Sequence, residues 1–242
     1  MKIMELIKTK QNDAFANGHI TIACLGDSVT QGCFELIDRD GTLDGIEPVY
    51  EQQYSYAHQL AKALGYLYPS VPFNIINAGI SGDTANGGFE RLERDVLRYK
   101  PDLVTVCFGL NDCDGGPEGA PVFAQTLGRI FDRIKEEGIE VIYISPCMMN
   151  TSISPLMKTE IERSVGATTM AIQNDGIFDM YIDEAKRMCE KKNVPCCDCY
   201  SKWKRLAANG VNTTELLSNK INHPSREMHW LFVESLLDTI LD

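Results

Sequence analysis

The chain has 242 residues, 44% of them hydrophobic and 24% charged, with a formal net charge of −11. That is the composition of a soluble globular protein with material for one substantial core, and its acidity argues against nucleic acid or an anionic membrane surface as the main partner. No apolar run approaches a membrane span, Met-Lys-Ile-Met-Glu-Leu-Ile-Lys is too short and too charged for a secretory core, and nine scattered cysteines read as the reduced thiols of a cytoplasmic protein.

Residues 1–18 read as a short amphipathic lead-in whose Met1, Met4, Leu6 and Ile7 cover one edge of the core. The apolar run from His19 to Leu25 predicts a buried strand, roughly 19–26, that stops at Gly26-Asp27-Ser28. Residues 31–50, rich in Gly, Asp and Glu, read as a long polar loop that either shapes the entrance to that turn or is a surface excursion. Tyr54 to Tyr66 carries a helical stripe of Tyr56, Ala57, Leu60, Ala63 and Leu64, with Gly65 as its C-cap. Phe73–Ala78 is a second strand opening into Gly79-Ile-Ser-Gly82-Asp-Thr84. Phe89, Leu92, Val96 and Leu97 mark a helix that must stop before Pro101. Leu103–Phe108 is a third strand opening into Gly109-Leu-Asn111-Asp112. A helix over Val122–Ile134 ends by Gly138, and Glu140–Ser145 is a fourth strand, stopped by Pro146. Residues 147–170 are ambiguous, with room for a short helix. Ile177–Lys192 is a long amphipathic helix, Val194–Tyr200 a short fifth strand, and Leu206–Ile221 polar and irregular. The last helix starts after Pro224 and runs to the C-terminus.

This alternation predicts an α/β fold: a three-layer α/β/α sandwich on a five-stranded parallel sheet, flavodoxin-like in arrangement, as a single domain over 1–242. The turns after the first three strands then share the carboxyl edge of the sheet, where such folds bind ligands. A serine on a turn just past a buried strand is where an α/β protein exposes a nucleophile. Acyl transfer also needs a base and donors aimed at a developing oxyanion. Ser28 supplies the hydroxyl, and His223, in a loop near the C-terminus, can reach back as the base. The backbone N–H groups of Ser28 and Gly82 and the Asn111 amide are three donors from three neighbouring strand ends.

These residues resemble the SGNH hydrolases, also called GDSL esterases, in four blocks between residues 20 and 230. Gly26-Asp27-Ser28 matches the first block, with Val29 in the place of the name-giving leucine. Asn77-Ala-Gly-Ile-Ser-Gly-Asp-Thr84 looks like the second and implies Gly82 as the oxyanion glycine. Gly109-Leu-Asn111-Asp112 matches the third and implies Asn111 as the side-chain donor. Asn222-His223-Pro224 resembles the last and implies His223 as the base. There is a further departure in the last block. Three residues before the histidine the family carries an aspartate that orients the imidazole, and here stands Lys220. Asn219, one step further back, or a backbone carbonyl is then a neutral orienter; the nearest acids in sequence are Glu215 and Glu227.

The resemblance implies a carboxylic ester hydrolase that forms an acyl-enzyme on small acyl esters, O-acetyl groups on carbohydrates among them, with no cofactor and no metal. Two other readings stay open: a module of this fold that binds a glycan or metabolite without turnover, and an acyltransferase in which a sugar replaces water. A phosphate binder is disfavoured, because Gly26–Gly32 carries neither the Gly-x-Gly-x-x-Gly nor the Walker pattern. Structural roles are the better reading for the neighbours: Asp27 as acceptor in its own turn, Asp83 and Asp112 as helix caps, Met148 and Met149 as core filling, and His229 as a packed or surface residue. Cys196, Cys197 and Cys199 on a strand would alternate faces and cannot converge on one ion.

Overall fold

The computed structural model describes residues 1–15, 18–38 and 46–242. After helix α1 (Lys2–Asn12) comes β1 (Ile20–Gly26), the helical turn α2 (Ser28–Gln31), and a ribbon of β2 (Cys33–Asp38) and β3 (Ile46–Tyr50). Then follow α3 (Tyr56–Leu67), β4 (Phe73–Gly79), α4 (Ala85–Asp95), β5 (Leu103–Cys107), α5 (Gly116–Glu136) and β6 (Glu140–Ile144). The chain closes with α6 (Glu160–Asn174), α7 (Ile177–Lys192), β7 (Cys196–Cys197), α8 (Cys199–Ala208) and α9 (His229–Leu241).

Five strands form one sheet in the order β4-β1-β5-β6-β7, every pair parallel. Counting only those five, the order is 2-1-3-4-5, the doubly wound arrangement expected from the sequence. All five residues of β5 and all but Thr21 of β1 are buried, as strands covered on both faces must be. On the helical layers, α3 packs on α9 and α5 packs on α4 and α7. The core continues without a break from Ile3 to Ile240.

Several local expectations need correction. Residues 31–50 are not simply a polar loop: 33–38 and 46–50 pair antiparallel, while 39–45 lie outside the described residues. A two-stranded ribbon beside the main sheet needs no continuous apolar run, so its polar composition hid it. Gly65 lies inside α3, which continues to Leu67 and is capped by Tyr68. The ambiguous stretch holds a 15-residue helix, α6, opened by a capping box in which Thr159 and Glu162 satisfy each other's backbone N–H. The fifth strand is two residues long, because Asp198 accepts from the Ser201 N–H at 3.1 Å and starts α8 there. The last helix does start after Pro224, at His229.

Register sets the site. Gly26 at the end of β1 pairs with Gly79 on one side and Cys107 on the other. The three turns that follow therefore leave the sheet side by side. Gly79 is required for this: a Cβ there would lie 2.2 Å from the Gln31 nitrogen, a distance no side chain tolerates.

Candidate active site

Ser28 opens α2, two residues beyond the end of β1, and its side chain faces the loop before α9. There His223 Nε2 stands 2.9 Å from Ser28 Oγ. Both are nearly closed off from solvent, Ser28 at 4% and His223 at 6% exposure. The other imidazole nitrogen, Nδ1, faces the backbone carbonyl of Phe34 at 3.2 Å. A carbonyl can only accept, so Nδ1 carries the proton and Nε2 presents its lone pair to the serine hydroxyl. Burial pulls the imidazole down to about 4, against opposing upward pulls from the Phe34 carbonyl and the Glu35 carboxylate. At neutral pH the ring is therefore an unprotonated base.

The loop that presents His223 is folded around Asn219, which corrects Asn219 as the orienter and leaves the other alternative, a backbone carbonyl. The Asn219 side-chain carbonyl accepts the backbone N–H groups of Ile221, Asn222 and His223 at 3.0, 3.0 and 2.9 Å, so it shapes the loop and does not meet the ring. Lys220 sits in the left-handed region at φ 61° and turns its ammonium to the Glu215 carbonyl at 2.9 Å. Glu215 accepts from Ser154 and Glu227 from Ser225, and neither reaches the imidazole. The orienting acceptor is the Phe34 carbonyl, on a strand 189 residues away in sequence.

The donor side lies across the turn. Gly82 has φ +78° with open space where a Cβ would project, and no described acceptor takes its N–H. Asn111 donates one amide hydrogen to the Asp83 carbonyl at 2.8 Å, which pins the Gly82 turn and leaves the second hydrogen for a ligand. Sequence reasoning missed the brace beneath. Arg91, buried on α4, reaches the Gly26 carbonyl at 2.9 Å, the Ala78 carbonyl at 2.7 Å and the Asp83 carboxylate at 2.6 Å. One guanidinium thus joins the ends of β1 and β4 to the turn carrying Gly82. Nothing in a helical stripe of Phe89 and Leu92 distinguishes such an arginine from a surface one.

Asp27 and Asp112 hold the backbone as expected. Asp27 Oδ1 accepts the Val29 N–H at 3.0 Å, and Asp112 Oδ1 accepts that of Ala85, the first residue of α4, at 2.9 Å. The second oxygen of each is buried without a partner among the described residues. Burial pushes the Asp27 carboxyl up from 3.8 to about 7, with smaller pushes from Asp112 and Asp83. A carboxyl whose folded-state value is raised holds its proton longer in the folded chain than in the unfolded one, so the stability it contributes is lost as pH rises from about 4 to about 7. Asp27→Asn has no such proton to lose. Urea unfolding of both proteins across that window is expected to show the difference moving in favour of Asp27→Asn as pH rises; a difference independent of pH would contradict the assignment.

Met148 and Met149 are buried core residues, as read. His229 is fully buried and accepts the Tyr56 N–H through Nδ1 at 2.9 Å. Asp198, besides capping α8, pairs with Lys186 at 2.7 Å.

A serine and a neutral histidine in hydrogen-bond contact, with backbone and amide donors on adjacent strand ends, is the constellation of a serine acylhydrolase. The chain belongs to the GDSL-like lipase/acylhydrolase family, whose family model matches residues 24–231. Among curated relatives it is similar to an acetylxylan esterase from Geobacillus stearothermophilus, 32% identical over 88 residues, which is 36% of this chain and 37% of that protein. It is also similar to an arylesterase from Vibrio mimicus, 35% identical over 83 residues, 34% of this chain and 38% of the relative. These matches span little more than a third of the relatives' own lengths. The fold of an acetylxylan esterase from Geobacillus stearothermophilus superposes with a TM-score of 0.66 at 20% identity, covering 91% of this chain and 94% of that one.

Proposed function

We propose that the chain, as one domain, is a serine esterase that removes small acyl groups, acetyl on carbohydrates foremost, through an acyl-enzyme on Ser28. The observation that carries this reading is the 2.9 Å contact between His223 Nε2 and Ser28 Oγ, with the opposite nitrogen held by an acceptor. His223 takes the hydroxyl proton as Oγ attacks the ester carbonyl. The carbonyl oxygen becomes an oxyanion facing the N–H groups of Ser28 and Gly82 and the free Asn111 amide hydrogen. Collapse breaks the ester C–O bond, and the imidazolium returns its proton to the departing alcohol. Water then attacks the acyl-serine with His223 again as base, releasing the acid and restoring Ser28.

The choice of acetyl over longer acyl chains is supported by the names of the acetylxylan esterase relatives, and an aryl ester is the runner-up. A net charge of −11 and nine cysteines support a cytoplasmic setting and a small-molecule partner, not a nucleic acid or a membrane; no helix among the described residues is long and apolar enough to cross a membrane. The test is a rate series on p-nitrophenyl acetate, butyrate and octanoate beside acetate release from acetylated xylo-oligosaccharides. Turnover that falls with chain length and extends to the acetylated sugar is expected. Preference for octanoate, or no turnover of any ester, would contradict the proposal.

A further inference from the structure

We propose that Glu35, Arg226 and Glu51 act together as positioning residues for His223, doing through the Phe34 carbonyl what a carboxylate beside the imidazole would otherwise do. The inference rests on the reading of His223 as the base.

A backbone carbonyl orients a histidine only if the backbone itself is held. In the ribbon Cys33 pairs with Tyr50 and Leu36 with Pro48, so Phe34 and Glu35 together stand opposite the single residue Val49. Two residues against one is a bulge, which frees a carbonyl from the ladder and lets it point elsewhere. The bulge that aims the Phe34 oxygen at His223 thereby loses the ladder bonds that would fix it.

Arg226 replaces them. Its two terminal nitrogens grip the Glu35 carboxylate at 2.6 and 2.9 Å, a bidentate pair. It also bonds Glu51, just past the other strand of the ribbon. Its guanidinium lies 4.5 Å from the Phe34 ring centre, and the His229 ring lies 5.0 Å from the same centre. Arg226 is three residues after His223, so this one side chain ties the base's own loop to the carbonyl that the base must meet. Two carboxylates against one guanidinium leave the cluster with one net negative charge. Among the described residues, Glu35 acts on the imidazole by its charge, and the buried His229 feels both His223 and Arg226. A negative cluster behind Nδ1 favours the imidazolium that forms during attack.

The test combines kinetics with the imidazole resonances of 15N-histidine-labelled protein. The chain has four histidines, and His223→Gln identifies the signal of interest. Glu35→Gln keeps the shape and removes the charge. It is expected to lower kcat on p-nitrophenyl acetate about tenfold, the equivalent of one pKa unit, with KM and Tm little changed and the Nδ1–H signal shifted. Arg226→Gln is expected to scramble the Nδ1–H tautomer and lower kcat further, and Arg226→Lys to recover part of it, since an ammonium cannot make the fork. Should Glu35→Gln fold poorly, Glu51→Gln reads the same charge from the other arm of the cluster. An unchanged His223 resonance in all variants would overturn the proposal, whether or not kcat falls; so would a shifted resonance with kcat intact. If the wild type hydrolyses no ester, the functional reading fails by itself, and the resonances alone then decide whether the cluster sets the ring.

Discussion

Ser28→Ala is expected to lower kcat/KM on p-nitrophenyl acetate by about 10⁴-fold or more, and His223→Ala by a comparable factor. Without Oγ no acyl-enzyme forms. Without the imidazole the hydroxyl keeps its proton, because among the described residues Nε2 is the only base within hydrogen-bond reach of it. The two act as a unit, so Ser28→Ala/His223→Ala should lose no more than either single variant. The residue of activity left in all three comes from the donors and from binding. Steady-state rates on purified variants, each checked for an unchanged thermal transition, measure this. Additive losses would mean that the pair does not share one step.

Asn111→Ala is expected to cost about 10²–10³-fold in kcat with KM nearly constant, the signature of a donor that matters only once the oxyanion exists. One complication is built into the fold. The same amide holds the Asp83 carbonyl at 2.8 Å and so helps to set the Gly82 turn. Asn111→Asp separates the two effects poorly, because a carboxylate can donate to neither partner and repels the oxyanion as well. The useful comparison is between substrates. Loss of an oxyanion donor should lower kcat on aryl and alkyl acetates alike, whereas a displaced turn should change KM differently for alcohols of different size.

The parts of the site legible in the sequence are those where a residue type is itself the signal. Ser28, Gly82, Asn111 and His223 each carry a side chain, or lack one, at a strand end or loop that the α/β alternation already places at one edge. The orienter was not legible in the same way. Asn219 has the right polarity and nearly the right spacing, but its carbonyl is consumed by three backbone N–H groups of its own loop. The group that meets Nδ1 is a main-chain oxygen, which every residue possesses, delivered by a bulge in a ribbon whose polar sequence reads as a loop. Some signals were present but outweighed. Thr159-Glu-Ile-Glu162 is a capping-box pattern, and it opens α6 inside the stretch read as ambiguous. Asp198, four residues into the run Val194–Tyr200 that reads as a strand, marks the start of α8. The five-stranded order was legible because apolar strand-like runs and amphipathic helices alternate over nearly the whole chain, and parallel crossovers leave few arrangements open.

The central claim is that Ser28 is the nucleophile and that His223 makes it one. The most direct measurement is the intact mass and peptide map of the protein after diisopropyl fluorophosphate, for the wild type, Ser28→Ala and His223→Ala. One adduct is expected, on Ser28, formed quickly in the wild type, slowly in His223→Ala and not at all in Ser28→Ala, with esterase activity lost in step with labelling. An adduct on another residue, or full esterase activity in protein whose Ser28 is labelled, would contradict the account.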